Sequence, residues 1–159
     1  GSYAGAFGIP QFMPGSARRY AVDFDGSGTI DLRESAVDAL GSVANFLSRH
    51  GWQRGGEVLL QARAEGDSIR RYVSTDMRPR RTAAELVAAG AAVDALPKRL
   101  AAEPAALIEL ETPGEPSEYR IGFQNFYALT RYNRSAFYAS AADELARRLK
   151  EARAQGEGR

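Results

Sequence analysis

The sequence predicts an α+β fold that is mainly α-helical and contains one EF-hand-type loop and a small β-hairpin. Oxygen-bearing residues and glycines in 23–34 follow the pattern of such a loop. Apolar residues recur at three- and four-residue spacing over 32–50 and again over 135–149, which is typical of amphipathic helices. Two strand-like segments, 106–111 and 118–123, flank a turn-rich Thr-Pro-Gly-Glu-Pro-Ser and predict the hairpin.

The length and composition limit the functions that the chain can have. Its 159 residues suffice for one domain with a substantial core, expected over 1–155, followed by a disordered tail at 156–159. The formal net charge of +1 provides no global electrostatic case for binding nucleic acid. The absence of cysteine excludes disulfides and thiol chemistry, and no apolar run approaches the length of a membrane span.

The N-terminal third is predicted to hold a packed loop and two helices. The first helix is expected at about Pro14–Tyr20, because proline suits the first helical turn, where its missing N–H has no helical partner. The second is expected at about Leu32–His50, with Gly51 as its stop. Its apolar face is predicted from the spacing of Ala36, Val37, Leu40, Val43, Ala44 and Leu47.

The middle of the chain, 53–123, is expected to be a variable segment that contains the hairpin. Val58-Leu59-Leu60 predicts a short strand, and Thr82-Ala83-Ala84-Glu85 is a capping box that opens a helix ending at about Ala89. The basic run Arg78-Pro79-Arg80-Arg81 has two interpretations, contact with an anionic polymer or a solvated loop, of which the loop is the commoner.

The C-terminal part combines a segment rich in aromatics and amides, 124–135, with a last helix capped by Ser135. One face of that helix is predicted to be apolar through Tyr138, Ala141, Ala142, Leu145 and Leu149. Aromatic rings interleaved with amides suit a carbohydrate, because sugars stack their C–H faces on rings while hydroxyl and N-acetyl groups bind amides. The alternative is that most of these aromatics are core residues.

The strongest chemical signal is the loop at 23–34. Its candidate ligands, at the first, third, fifth and seventh positions, are Asp23, Asp25, Ser27 and the Thr29 carbonyl. Gly28 stands at the sixth position, where a residue without Cβ makes the sharp turn. This set indicates Ca²⁺, a hard cation that prefers six to eight oxygen ligands.

Two other interpretations of the loop, and one ambiguity, remain open. Asp-Gly-Ser-Gly could be only a surface turn, and Asp31 with Glu34 could cap the following helix. The closing ligand is ambiguous, because Glu34 stands at the twelfth position and Asp38 lies one turn further along the same helix face. A calcium-dependent interaction protein is disfavoured, since sensors of that type pair two loops and expose a Met-rich groove.

Three stretches together resemble the membrane-bound lytic murein transglycosylase B family of peptidoglycan-cleaving enzymes. Gly-Ser-Tyr-Ala-Gly-Ala-Phe-Gly and Gln-Phe-Met-Pro stand in 1–14. Tyr-Ala-Val-Asp, the acidic loop and Gly-Ser-Val-Ala-Asn-Phe stand in 20–46, and Asn-Phe-Tyr with Thr-Arg-Tyr-Asn-Arg-Ser stands in 125–135. The resemblance implies a lysozyme-like fold with an EF-hand-type calcium site.

The resemblance also implies a reaction. The β-1,4 bond between N-acetylmuramic acid and N-acetylglucosamine is cleaved, and the muramoyl C6 hydroxyl completes the reaction to give a 1,6-anhydro product. A single glutamate acts as acid and then as base, so the second carboxylate of the usual glycosidase pair is not needed.

Position by position, the resemblance assigns two sets of residues. The substrate-binding set is Ser2, Gln11, Phe46, Tyr132, Asn133 and Tyr138. Phe46 stands where the family commonly has tyrosine, so it lacks the hydroxyl. The metal set is Asp23, Asp25, Ser27 and Thr29, closed by Asp38 or Glu34, and the family pattern favours Asp38.

One departure from the family concerns the catalytic residue. The family's glutamate lies on a helix before Gly-Ser-Tyr-Ala-Gly, whereas this chain starts at that motif and its first glutamate is Glu34. We therefore expect an N-terminally incomplete chain with no catalytic residue of its own, inactive or nearly so when taken alone. The alternative is a non-catalytic peptidoglycan-binding module.

The resemblance also implies where the protein acts and what it binds. The expected partner is the glycan strand of peptidoglycan, and no nucleic acid is expected. We expect one structural Ca²⁺, no organic cofactor, and a monomer in the periplasm. Contact with the outer membrane is expected only through a lipid anchor upstream.

Overall fold

The computed structural model describes residues 2–64 and 66–156, except for the side chain of Asp67. The chain divides into two compact units, Gly1–Trp52 and Gln53–Arg159, and the boundary coincides with the start of the predicted variable segment. The expectation of a single domain over 1–155 stays a prediction. No helix among the described residues is both long enough and apolar enough to span a membrane.

The first unit contains helices α1 (Pro14–Tyr20) and α2 (Ala36–Arg49). The prediction of α1 is confirmed, with Pro14 in the first turn. The predicted start of α2 at Leu32 is wrong by four residues. The helix begins after Ser35, whose Oγ accepts a hydrogen bond from the backbone N–H of Asp38 at 3.2 Å.

The predicted apolar face of α2 is also wrong. Its buried residues are Asp38, Ala39, Gly41, Ser42 and Phe46, whereas Leu40 is 70% exposed. Polar side chains on the buried side bind the backbone of the preceding segment: Ser42 Oγ accepts the N–H of Val22 at 3.0 Å. The orientation of α2 therefore follows hydrogen bonding to the loop as well as apolar burial.

An aromatic cluster forms the core of the first unit. The ring of Phe46 stacks on His50 at 4.1 Å between centroids and meets Tyr20 edge-on at 4.9 Å. Phe12, also buried, lies 5.8 Å from Phe46 and pairs its backbone with Phe7 in a short antiparallel bridge. The N-terminal loop is thus fixed to α2 through one buried ring.

The second unit is built on an antiparallel sheet that has five strands among the described residues. The strands are β1 (Leu59–Ala64), β2 (Arg81–Thr82), β3 (Ala91–Ala92), β4 (Pro104–Leu110) and β5 (Glu118–Gly122), in the order β2-β4-β5-β1-β3. The predicted hairpin is confirmed as β4–β5, with Leu107 opposite Ile121. It forms the centre of a larger sheet, because β1 and two-residue strands add to both of its sides.

Three helices accompany this sheet: α3 (Ala83–Ala88), α4 (Gln124–Tyr132) and α5 (Ala136–Gly156). Two 3₁₀ helices lie at Asp67–Tyr72 and Lys98–Leu100 among the described residues. The capping box that opens α3 is confirmed, since Thr82 and Glu85 exchange both hydrogen bonds. Helix α4 was not predicted, because its aromatics and amides carry no clear helical period.

Strand β4 divides the core of the second unit into two clusters, because alternate residues face opposite sides of a sheet. Leu107 packs in a cluster that includes Leu86 of α3. Ile108 packs in the other, with Phe126 of α4 and Ala139 of α5. Both faces of the hairpin are therefore covered.

The predicted apolar face of α5 is wrong. Its buried residues are Ala139 and Asp143, while Leu145 and Leu149 are 59% and 62% exposed. The small side chain of Ala139 lets the helix backbone come close to the sheet, which a row of leucines would prevent. The helix also extends through Gly156, which is the first residue of the tail expected to be disordered. The rest of that tail, 157–159, lies outside the described residues.

Asn125 joins α4 to the start of the second unit. Its side chain is 1% exposed, and its Oδ1 accepts the N–H of Gln53 at 2.7 Å. Its Nδ2 donates to the carbonyls of Gln53 and Gly56 at 2.8 and 3.0 Å. Both the oxygen and the nitrogen of this amide are hydrogen-bonded. Asn125 therefore has a structural role, although it lies in the segment 124–135, whose composition suits a carbohydrate.

We predict that Asn125→Ala lowers the free energy of unfolding by about 3 kcal/mol, because three buried hydrogen bonds are lost at about 1 kcal/mol each. Asn125→Asp should destabilise as well, since a carboxylate cannot donate to the two carbonyls. Urea denaturation measures both changes. Asn133→Ala, at the exposed end of α4, is the matched control, and an Asn125→Ala variant as stable as that control would contradict the prediction.

Candidate functional site

The acidic loop before α2 gathers three carboxylates. Oxygen atoms of Asp23, Asp25 and Asp38 lie within 4.8 Å of one another. Asp38 is buried, whereas Asp25 is exposed. Converging carboxylates repel one another, so this arrangement favours either a bound cation or extensive hydrogen bonding to the charged groups.

Asp38 is held by the backbone of the loop. Its Oδ1 accepts the N–H of Phe24 at 2.8 Å and makes a longer contact with that of Asp25 at 3.4 Å. Its Oδ2 accepts the N–H of Asp31 at 2.8 Å. These bonds leave acceptor capacity on Oδ2, because a carboxylate oxygen has about two lone-pair sites and Oδ2 accepts one N–H group.

Asp23 and Asp25 bind the turn that follows them. The two oxygens of Asp23 accept the N–H groups of Ser27 at 3.0 Å and Gly28 at 2.7 Å. Asp25 accepts from Ser27 N–H at 3.0 Å and from the Ser35 hydroxyl at 3.1 Å. Hydrogen bonds, led by that from the Ser27 side chain, lower the pKa of Asp25 below its ordinary value.

The residues present fit a hard divalent cation. The candidate donors are all oxygen atoms: those of the three carboxylates, the Ser27 hydroxyl and the Thr29 carbonyl. The Ser27 hydroxyl lies 3.1 Å from that carbonyl, in the same loop. Gly28 has a φ of 90°, a left-handed conformation that favours glycine at the sixth loop position. These residues are therefore suited to hold calcium.

Glu34 does not join the carboxylate group among the described residues, whereas Asp38 does. The proposed capping role of Asp31 takes a modified form. Its Oδ1 accepts the N–H groups of Arg33 at 2.8 Å and Glu34 at 3.0 Å, closing a turn before the helix. These bonds lower the pKa of Asp31, the one from Glu34 most strongly. Which residues ligate a metal stays a prediction.

Three of the predicted substrate residues lie in the first unit. Ser2 Oγ accepts the N–H of Ala6 at 3.1 Å. Gln11 is exposed, with a φ of 50°, and its Nε2 donates to the carbonyl of Gly8 at 2.8 Å. Phe46 is only 4% exposed within its aromatic cluster, so it has little surface for a ligand. The three assignments stay predictions.

The other three lie in the second unit, where α4 meets α5. Asn133 is exposed and ends α4, and its carbonyl accepts the N–H of Ser135 at 2.7 Å. Ser135 Oγ accepts the N–H of Tyr138, which is 40% exposed. Burial raises the pKa of Tyr132 to about 12, and the charge of Tyr138 contributes to the rise. Tyr132 and Tyr138 belong to helices α4 and α5, which pack against each other.

Sequence reasoning anticipated only part of the arginine-rich surface of the second unit. A cavity of about 410 Å³ has Arg71, Arg78, Arg80 and Arg81 in its lining. The basic run at 78–81 was the available signal, but Arg71 comes from the preceding turn and joins the others only in the folded chain. The prediction that no residue of this chain is the general acid is not tested by this geometry.

Comparison with known proteins identifies relatives with the same fold. The chain is 39% identical over 157 residues to the membrane-bound lytic murein transglycosylase B of Escherichia coli (strain K12), a match that covers 98% of this chain and 41% of that protein. The soluble lytic transglycosylase SltB1 from Pseudomonas aeruginosa is 40% identical, with a TM-score of 0.82 over 97% of this chain and 50% of that chain.

A third relative is the Escherichia coli lytic transglycosylase Slt35 in complex with calcium. It is 37% identical, with a TM-score of 0.77 over 97% of this chain and 47% of that chain. The predicted α+β, lysozyme-like fold class is confirmed by these matches. The chain nevertheless spans less than half the length of the curated relative. A family model described as the transglycosylase SLT domain matches residues 1–147, and the chain therefore belongs to that family of lytic transglycosylases.

Proposed function

We propose that this chain forms part of a peptidoglycan lytic transglycosylase that cleaves the bond between N-acetylmuramic acid and N-acetylglucosamine and forms a 1,6-anhydromuramoyl product. The family match over residues 1–147 carries this proposal. Its relative in Escherichia coli is named for lytic action on murein. The general acid and base is proposed to be a glutamate outside these 159 residues.

The proposed contribution of this chain is to bind and orient the glycan. The exposed ring of Tyr138, near the start of α5, suits the apolar face of a sugar. The exposed amides of Gln11 and Asn133, and the exposed Ser2, suit hydroxyl and N-acetyl groups. Orientation of this kind lowers the barrier only when a proton donor is also present.

We further propose that Asp23, Asp25, Ser27, the Thr29 carbonyl and Asp38 hold one structural Ca²⁺. The cation would offset the repulsion among three carboxylates and so stabilise the loop. The neighbouring residues act without it: Asp38 orders the loop backbone, and Ser35 connects Asp25 to the start of α2. The calcium complex of Slt35 supports this proposal.

The proposed setting is the periplasm, with murein strands as the partner, a monomeric chain, and membrane contact only through a lipid anchor upstream. The name of the membrane-bound relative supports this setting.

We predict that the 159-residue chain sediments with purified peptidoglycan but releases little or no anhydro-muropeptide. Tyr138→Ala should weaken the binding about fivefold, because one aromatic stacking contact is worth about 1 kcal/mol. Phe137→Ala, which removes the neighbouring exposed ring of α5, is the control and should bind normally. Robust anhydro-muropeptide release would place the acid within this chain, and loss of all sedimentation would contradict the glycan-binding role.

We predict that calcium raises the free energy of unfolding relative to chelator by about 2.7 kcal/mol at about 100 times Kd, because the native state alone binds the ion. Asp25→Asn should reduce this calcium-dependent part. Asp38→Ala should also lower stability in chelator, by about 3 kcal/mol, because loop N–H groups lose a charged acceptor. Thermal unfolding with calcium and with chelator measures both effects.

Glu34→Gln is the matched control for these variants, because Glu34 is exposed and lies outside the carboxylate group among the described residues. It should leave both curves unchanged. Identical unfolding of the original chain with calcium and with chelator would contradict the calcium proposal, and a large effect of Glu34→Gln would show that the closing ligand is assigned wrongly.

A further inference from the structure

The cavity with four arginines, named here the arginine cavity, lies beside β4. Strand β2 pairs with the first two residues of β4, and further along β4 Val73 forms a parallel bridge with Leu107 and Ser74 N–H donates to the Leu107 carbonyl at 2.8 Å. Residues 105–107 of β4 are among the lining of the cavity but are at most 4% exposed, whereas its four arginines are exposed. The accessible surface of the cavity is therefore mainly cationic.

One of the four arginines already has a close carboxylate partner. Arg80 donates to both oxygens of Asp76, at 2.8 and 2.6 Å. This pairing is the main cause that lowers the pKa of Asp76 to about 2. Arg78 lies 3.7 Å from the same carboxylate. Asp76 is therefore shared between Arg78 and Arg80.

The other two arginines are arranged by a tyrosine ring. The guanidinium carbons of Arg71 and Arg81 lie 5.0 and 4.9 Å from the centroid of Tyr72. Among the described side chains of residues 2–64 and 66–156, which do not include that of Asp67, neither arginine forms an ion pair. Glu85, the one carboxylate among the described residues of the lining, accepts the N–H of Thr82 at 2.7 Å as the cap of α3.

The positive surface continues beyond this cavity. An adjacent cavity of about 460 Å³ shares Arg78 and is also lined by Arg131 and Arg134. Arg131 donates to the hydroxyl of Tyr127 at 3.1 Å and lies over its ring. A local excess of guanidinium groups therefore exists in a chain whose net charge is only +1.

We propose that the arginine cavity binds the free carboxylates of the short peptides attached to peptidoglycan glycan strands. This inference rests on the proposed function and names a second part of the same substrate. A guanidinium group matches a carboxylate through two parallel hydrogen bonds, and the ring of Tyr72 keeps Arg71 and Arg81 ready for this contact.

The cavity is large enough for a small anionic ligand, since its volume of about 410 Å³ lies in the range of ligand pockets, about 300–1,000 Å³. Its four arginines are exposed to solvent, so a ligand can reach their guanidinium groups. Among the anions that arginine binds, the proposed function favours the peptide carboxylates, because they belong to the same polymer as the glycan.

The test is calorimetric titration of the 159-residue chain with the free tetrapeptide of peptidoglycan. Arg71→Gln combined with Arg81→Gln should weaken binding at least about tenfold, and added salt should weaken binding to the original chain. Arg71→Lys combined with Arg81→Lys keeps the charge without the planar fork and should give an intermediate loss. The tetrapeptide with amidated carboxylates should not bind.

The matched control is Arg63→Gln combined with Arg99→Gln. It removes two exposed arginines that each have their own ion pair and lie outside the lining of the cavity. This variant should bind the tetrapeptide normally. Unchanged binding in the Arg71 and Arg81 double variant, or equal binding of the amidated peptide, would overturn the proposal.

Three further probes distinguish the source of the anion and separate the two proposals. Inorganic phosphate or anionic phospholipid vesicles that bind through Arg71 and Arg81, while the tetrapeptide does not, would also overturn the inference. Peptide-free glycan strands test the proposed function by itself. Glycan binding without peptide binding refutes only the arginine cavity, and peptide binding without glycan binding refutes only the proposed glycan site.

Discussion

A buried carboxylate on the first turn of α2 determines the shape of the acidic loop. Asp38 accepts backbone N–H groups from both ends of the loop, at Phe24 and Asp31. Ser42, one turn further along α2, binds Val22, and Asn45 donates to the Tyr20 carbonyl at 2.9 Å. This polar stripe satisfies backbone groups that an apolar helix face would leave unpaired. The loop can therefore keep its carboxylates close together, which a cation site requires.

In the second unit, helices cover both faces of the sheet. The alternation along β4 sends Leu107 toward α3 and Ile108 toward α4 and α5. Gly122 allows the close approach of α4, because a Cβ there would come within 2.9 Å of the Phe126 ring. The buried amide of Asn125 then attaches α4 to residues 53–56. Tyr132 and Asn133, at the end of α4, take their positions from this packing.

The small net charge of the chain conceals local concentrations of like charge. Three aspartates converge in the first unit, and six arginines line two adjoining cavities of the second. Each group of like charges creates its own local potential, which salt screens over about 10 Å. A net charge of +1 argues against nonspecific binding of polyanions but says nothing about either local site.

The sequence by itself determined the features that depend on neighbouring residues. The capping box of α3, the proline-led start of α1, the β4–β5 hairpin and the spacing of the acidic loop could all be predicted, because each is set by local backbone chemistry. Its motifs also indicated the family that the comparisons established.

Only the tertiary structure decided which helix faces are buried and which distant groups meet. Leu40 and Leu149 suggested apolar faces, yet Asp38 and Ala139 are the buried residues. The reason is that burial depends on the partner surface: a loop rich in free N–H groups selects a carboxylate, and a close sheet selects alanine. Arg71 and Arg81 lie over the same tyrosine ring for a similar reason. They belong to a 3₁₀ helix and to β2, which become neighbours only in the folded chain.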